Sequence, residues 1–91
     1  MTRTEEIDAA VDELNTTVLR LEPSAVYDDA VVGIGERNGH YFLVYDREAV
    51  IRQTMKADGM TYEDAVEWHE FNTFCGYLGH NTPVFLNVTF T

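Results

Sequence analysis

The apolar positions near the start of the chain fall at Ile7, Val11, Leu14, Val18 and Leu21, in steps of four, three, four and three. That is the period at which side chains stack along one face of an α-helix. Thr2 precedes Glu5 by the spacing of a capping box, and Pro23, with no N–H to donate, is the expected stop, so the pattern predicts an amphipathic helix over residues 1–22. Beyond residue 30 the pattern changes to two β-runs, 30–34 and 41–45, around Asn38-Gly39. Asn and Gly tolerate the positive φ of a type I′ turn, which predicts a hairpin. Asp46 is placed to cap a second helix from Arg47 to about Ala57, with Val50, Ile51 and Met55 inward and Gly59 as its stop. Thr61, with Asp64 three residues on, opens a third. Its apolar stripe, Ala65, Trp68, Phe71, Cys75 and Leu78, predicts a buried face that continues to Gly79, widened by Phe74 and Tyr77. The last run, 83–91, alternates Val84, Leu86, Val88 and Phe90 on one face, as a half-buried antiparallel strand does.

The order α-β-β-α-α-β predicts an α+β fold: one domain over 1–91, with a three-stranded antiparallel sheet packed by helices. A chain of 91 residues makes one domain and buries only roughly 60% of its unfolded surface, so its stability margin is thin. Cys75 is the sole cysteine, which rules out an intrachain disulfide and a zinc site built on paired cysteines. No run is long and apolar enough for a membrane span, and residues 1–6 lack the order of a signal peptide, so the expectation is a cytoplasmic protein without a membrane partner.

Charge narrows the partners. Sixteen carboxylates against Lys56 and five arginines give a net charge of −10, a field that repels nucleic acid and argues against direct phosphate binding. The acidity fits solubility, a salty habitat, or imitation of nucleic-acid charge toward a basic host protein.

The run Gly59-Met60-Thr61-Tyr62-Glu63-Asp64-Ala65, then Phe71-Asn72, then Gly79-His80-Asn81-Thr82-Pro83, resembles a group of small proteins of bacteriophages, prophages and mobile elements over about residues 30–86. The resemblance implies a viral or mobile-element setting, a hairpin followed by helices, and a corner before the last strand. His80 and Cys75 depart from that group's pattern.

No catalytic constellation emerges. Gly33-Ile34-Gly35 lacks the third glycine and the following helix of a dinucleotide loop, and His69-Glu70-Phe71-Asn72-Thr73 has threonine where a zinc-protease helix needs its second histidine. Cys75 reads as a buried, inert thiol, and His40, His69 and His80 as structural or exposed. Asn72, between Phe71 and Phe74, is expected to clasp the 81–83 corner. Glu63, Glu67 and Glu70 share one helix face, which a solvated surface, a cation or a basic partner would explain. With Trp68, Tyr77, His80 and Asn81 they form the candidate binding surface. The expectation is a non-enzymatic acidic interaction protein without cofactor or metal, homodimeric, of counter-defence or nucleic-acid-mimicking type. The alternative is a small-molecule or nucleotide-signal binder with a pocket at the dimer interface.

Overall fold

Thr2 caps α1 (Arg3–Glu13) in the computed structural model, which describes residues 1–90: its hydroxyl accepts from the Glu5 N–H and the Glu5 carboxylate accepts from the Thr2 N–H. The helix then stops well short of residue 22. Leu14 is the C-cap, Asn15 adopts a φ of 51°, Asn15 N–H bonds to the Asp12 carbonyl at 3.0 Å, and Thr16 N–H bonds to the Val11 carbonyl at 3.2 Å. These two bonds make a Schellman turn, with asparagine supplying the left-handed residue. Val18 and Leu21 still reach the core, from irregular chain rather than from a helical stripe. Pro23 ends no helix: it follows a cis peptide bond and precedes a short helix α2 (Ser24–Tyr27), which runs into a 3₁₀ turn at Asp28–Ala30.

The hairpin matches its expectation. β1 (Val31–Arg37) and β2 (His40–Asp46) pair antiparallel around Asn38 and Gly39, whose φ values of 52° and 80° give the type I′ turn. Val31 lies opposite Tyr45 but Gly33 opposite Val44, so Val32 is an extra, bulged residue. A bulge shifts the side-chain alternation by one, which turns both Val31 and Ile34 toward the core.

Asp46 caps α3 (Arg47–Asp58) through bonds from the Glu48 and Ala49 N–H groups, and Gly59 closes it at a φ of 68°. Thr61 accepts from the Asp64 N–H at 3.2 Å to start α4 (Tyr62–Asn72). The chain then returns to lay β3 (Val84–Leu86) beside β2, giving the order β1-β2-β3. The fold is α+β, but β3 runs parallel to β2, with Val44 opposite Val84 and Asp46 opposite Leu86, so the sheet is mixed rather than antiparallel. Two helices and the 73–83 loop carry the chain back to the end of the sheet where β2 began, and from there only a parallel strand can form. The expected strand over 83–91 shrinks to three residues; Asn87–Phe90 carry no strand, and Thr91 lies outside the described residues.

The core lies on one face of the sheet. Val31, Leu43 and Tyr45, with Ile34 and Phe85 at its margin, pack against Ile7, Tyr27, Ala30 and Val50. By the alternation of the pleat, Gly33, Phe42, Val44, Val84 and Leu86 point to the other side. A Cβ added at Gly33 would meet nothing within 4 Å, so that side is bare there.

Asn81 ties the edges together. Its side chain donates to the Tyr41 carbonyl at 2.7 Å, and its own carbonyl accepts from the Leu19 N–H at 3.3 Å. Asn81→Ala leaves a half-buried strand carbonyl without its donor and is expected to lower stability by about 1–2 kcal/mol, read as a lower urea midpoint with an unchanged slope.

Candidate functional site

Ala65 and His69, one turn apart, are the buried residues of α4. Of the stripe expected to be buried, Ala65 is, but the rest lies to one side of that line: Trp68 is 46% exposed, Phe71 83% and Leu78 80%, and Cys75 is exposed rather than an interior thiol. The orientation follows from polar chemistry. Thr54 of α3 donates its hydroxyl to the Val50 carbonyl, and accepts from the Tyr27 hydroxyl at 2.7 Å and from His69 Nε2–H. His69 Nδ1 then accepts from the Thr73 hydroxyl at 2.8 Å. These proton positions are assigned from the donors and acceptors available, and they satisfy a neutral imidazole at both nitrogens. Burial also holds the His69 imidazole below its ordinary value. A histidine bonded at both nitrogens behaves as a core residue, and it rotates α4 so that Trp68 and Phe71 stay outside.

Backbone bonds to the same residue end the helix. Phe74 lies nine residues after Ala65, two and a half turns on, and a continuous helix would aim its ring away from the core. Instead Thr73 and Phe74 both donate their N–H groups to the His69 carbonyl, and the Phe74 ring turns in against Phe85, at 4.9 Å, beneath the Arg47 guanidinium. Asn72 does not clasp the 81–83 corner: its side chain is exposed and donates back to the Trp68 carbonyl at 2.8 Å.

The candidate residues therefore separate into two places. Trp68, Glu63, Glu67 and Glu70 stay together on α4, where Trp68, Phe71, Met60 and Asn72 line a shallow hollow of about 460 Å³ edged by Asp64 and Glu67. All four carboxylates of this helix, Glu63, Asp64, Glu67 and Glu70, are exposed, and its one basic group, His69, is buried. The arginine ion pairs form elsewhere: Arg3 with Glu6, Arg20 with Asp8 and Asp28, and Arg52 with Glu48. Tyr77 and His80 are found in a broad concavity of about 910 Å³ between the hairpin end and the 76–83 loop, beside Arg37 and Phe42. Asn81 faces a smaller hollow with Asn15, Thr16 and His40.

Sequence spacing gave no sign that His40 and His80 meet, yet their rings stack at 4.3 Å and 15° across the open side of the sheet. Phe71 belongs to the stripe whose period predicts burial, although it follows Trp68 at helical spacing on the carboxylate-rich side. Its flanking glutamates were the available signal. His69, the histidine that contacts two hydroxyls, is 1% exposed, so no substrate reaches it. Among the described residues no cluster of three or more His, Cys, Asp or Glu is arranged to hold a metal ion, and no helix is long and apolar enough to cross a membrane. The candidate surface thus offers an exposed aromatic pair set among carboxylates on α4, and Tyr77 and His80 beside Phe42 and Val84 on the outer side of the sheet. No protein-family model matches the chain, and neither a curated protein nor a solved structure shows significant similarity to it.

Proposed function

We propose that this protein is a non-enzymatic interaction domain of a virus or mobile element that captures a basic, amphipathic segment of a host protein on the outer face of α4. The observation that carries the reading is the exposure of Trp68 and Phe71 amid Glu63, Asp64, Glu67 and Glu70. Burying two aromatic side chains contributes about 1.5–3 kcal/mol each, and a lysine- or arginine-bearing partner relieves the repulsion between carboxylates a turn apart. A second copy of the chain is a poor occupant of this face, because it brings the same row of negative charge. The first helix spends Ile7 and Val11 on its own core, which leaves α4 as the helix with an unpaired aromatic face. Pure imitation of phosphates needs charge alone, whereas exposed aromatic rings provide an anchor that salt does not screen.

Trp68 is the only tryptophan, so its emission reports the face directly. Titration with a lysine- and arginine-rich amphipathic helical peptide is expected to shift that emission to the blue, with affinity falling as salt rises. The same peptide carrying glutamate in place of its basic residues leaves the emission unchanged. Phe71→Ser and the pair Glu67→Lys with Glu70→Lys are each expected to weaken binding at least about tenfold, equivalent to about 1.4 kcal/mol. No response to the basic peptide, or an equal response to the acidic one, removes the reading.

A further inference from the structure

We propose that the concavity between the hairpin end and the 76–83 loop binds a nucleoside monophosphate, its phosphate held by Arg37 and His80 and its base laid against Phe42 and Tyr77. The register of the hairpin brings the cationic side together. Arg37 lies directly opposite His40, a pairing that sets Cβ atoms about 5 Å apart, and the His80 ring stacks on that of His40 at 4.3 Å. Arg37 enters none of the four ion pairs among the described residues, so its guanidinium is free for a ligand. A planar guanidinium fork beside an imidazole N–H matches the oxygens of a phosphate.

The rest of the lining selects a ring. Phe42 lies over Gly35, where a Cβ would collide with its ring, so the glycine lets an aromatic floor form on the sheet. Tyr77, on the facing loop, is 72% exposed, and its ring enters none of the aromatic pairs among the described residues. The wall between them is set before any ligand arrives. The Thr82 hydroxyl accepts from the Leu78 N–H and donates to the Gly79 carbonyl, both at 2.7 Å, while the Asn81 side chain donates to the Tyr41 carbonyl. A loop fastened on both sides of His80 loses little freedom on binding, and a volume of about 910 Å³ is within the range of small-ligand sites. The net charge of −10 repels a nucleic-acid strand, which meets the whole field, but a single nucleotide meets only what lies within a Debye length, about 8 Å in physiological salt. Glu36 is the one carboxylate on this lining, and the pleat sends it to the opposite side of the sheet from Arg37.

This inference is independent of the α4 reading, since it uses no residue of that helix. Nuclear magnetic resonance on the isotope-labelled full chain tests it by titration with the monophosphates of adenosine, guanosine, cytidine and uridine, each to low millimolar concentration. At least one is expected to give saturable shifts at the amides of Arg37, Phe42, Tyr77 and His80. Its parent nucleoside and inorganic phosphate are each expected to bind at least about tenfold more weakly, since each offers half of the recognition. Arg37→Gln and Tyr77→Ala change exposed side chains, so both keep the wild-type circular dichroism. The first closes the gap between nucleotide and nucleoside; the second weakens both. The proposal is overturned when none of the four gives saturable shifts, or when the shifts map to another surface. A nucleoside or inorganic phosphate that binds as tightly as the nucleotide overturns it too, as does a gap that survives Arg37→Gln in folded protein.

Discussion

Replacing Arg20 with methionine is expected to remove about 3 kcal/mol of folding stability. The guanidinium reaches from the irregular segment after α1 to two carboxylates, at 2.7 Å from Asp8 and 3.1 Å from Asp28. The two bonds are unequal. Asp8 is well exposed, and its pairing contributes little. The Asp28 side chain is only 3% exposed, and its Oδ2 accepts from Arg20 and from the Thr4 hydroxyl, while Oδ1 has no protein partner. Without Arg20 a buried carboxylate keeps one neutral donor, which is the situation that costs most. A domain of this size has about 5–13 kcal/mol in hand, so the loss is a large share and corresponds to a fall of about 12–24 °C in Tm. The double replacement Arg20→Met with Asp28→Leu is expected to recover most of it, because the buried charge leaves together with its partner. Equal destabilisation in the single and double variants would show that Arg20 acts through its aliphatic stem instead.

Acid is expected to weaken the fold through His69. Burial places its folded-state value below the ordinary 6.5, with Asp58 pulling it up and Arg47 pushing it down as lesser influences. The unfolded chain therefore takes up the proton first as pH falls. The contribution is complete above about pH 6.5 and declines below it, by up to about 1.4 kcal/mol for each pH unit, until the folded-state value is reached. The carboxylates of this acidic chain also titrate, so the measurement is a difference: urea midpoints of wild type and His69→Gln across pH 5–8. The glutamine amide offers a donor and an acceptor but binds no proton. The wild type leads near pH 8, and the gap is expected to close toward pH 5 as its own stability drops. Curves that stay parallel over that range would mean that His69 does not ionise on unfolding.

Local chemistry made much of this architecture legible. The capping box at Thr2, the Asn38-Gly39 turn, the Asp46 cap and the Gly59 stop each depend on residues a few positions apart, and all four are found where the pattern puts them. The failures share a cause. In α1 the apolar period ran on through Leu21, but Asn15, followed by two threonines, is a helix stop that periodicity does not register. In α4 a count of apolar side chains chose the Trp68–Phe71 side, whereas the interior took His69 because Thr54 and Thr73, on either side of it, satisfy its ring. The parallel direction of β3 is set by how far two helices and a loop carry the chain, a global property that no local pattern encodes. The acidic and aromatic members of the candidate surface were visible as residue types. Their division between α4 and the hairpin end, and the contact of His40 with His80, required the fold.

Asn81 holds Leu19 with its backbone and Tyr41 with its side chain, and the Tyr45 hydroxyl accepts from the Leu21 N–H beside them. The segment after α1 is thus secured by groups that come much later in the sequence. Such distant pairings slow the search for the native state, because loop entropy is lost before the contacts that reward it are made. On the ribosome α1 and the hairpin can form as they emerge, but the stretch between them has nothing to settle on until the corner at residue 81 is free of the exit tunnel. A chain arrested before that corner leaves Val18 and Leu21 loose, so a corner made later locks down a segment made much earlier.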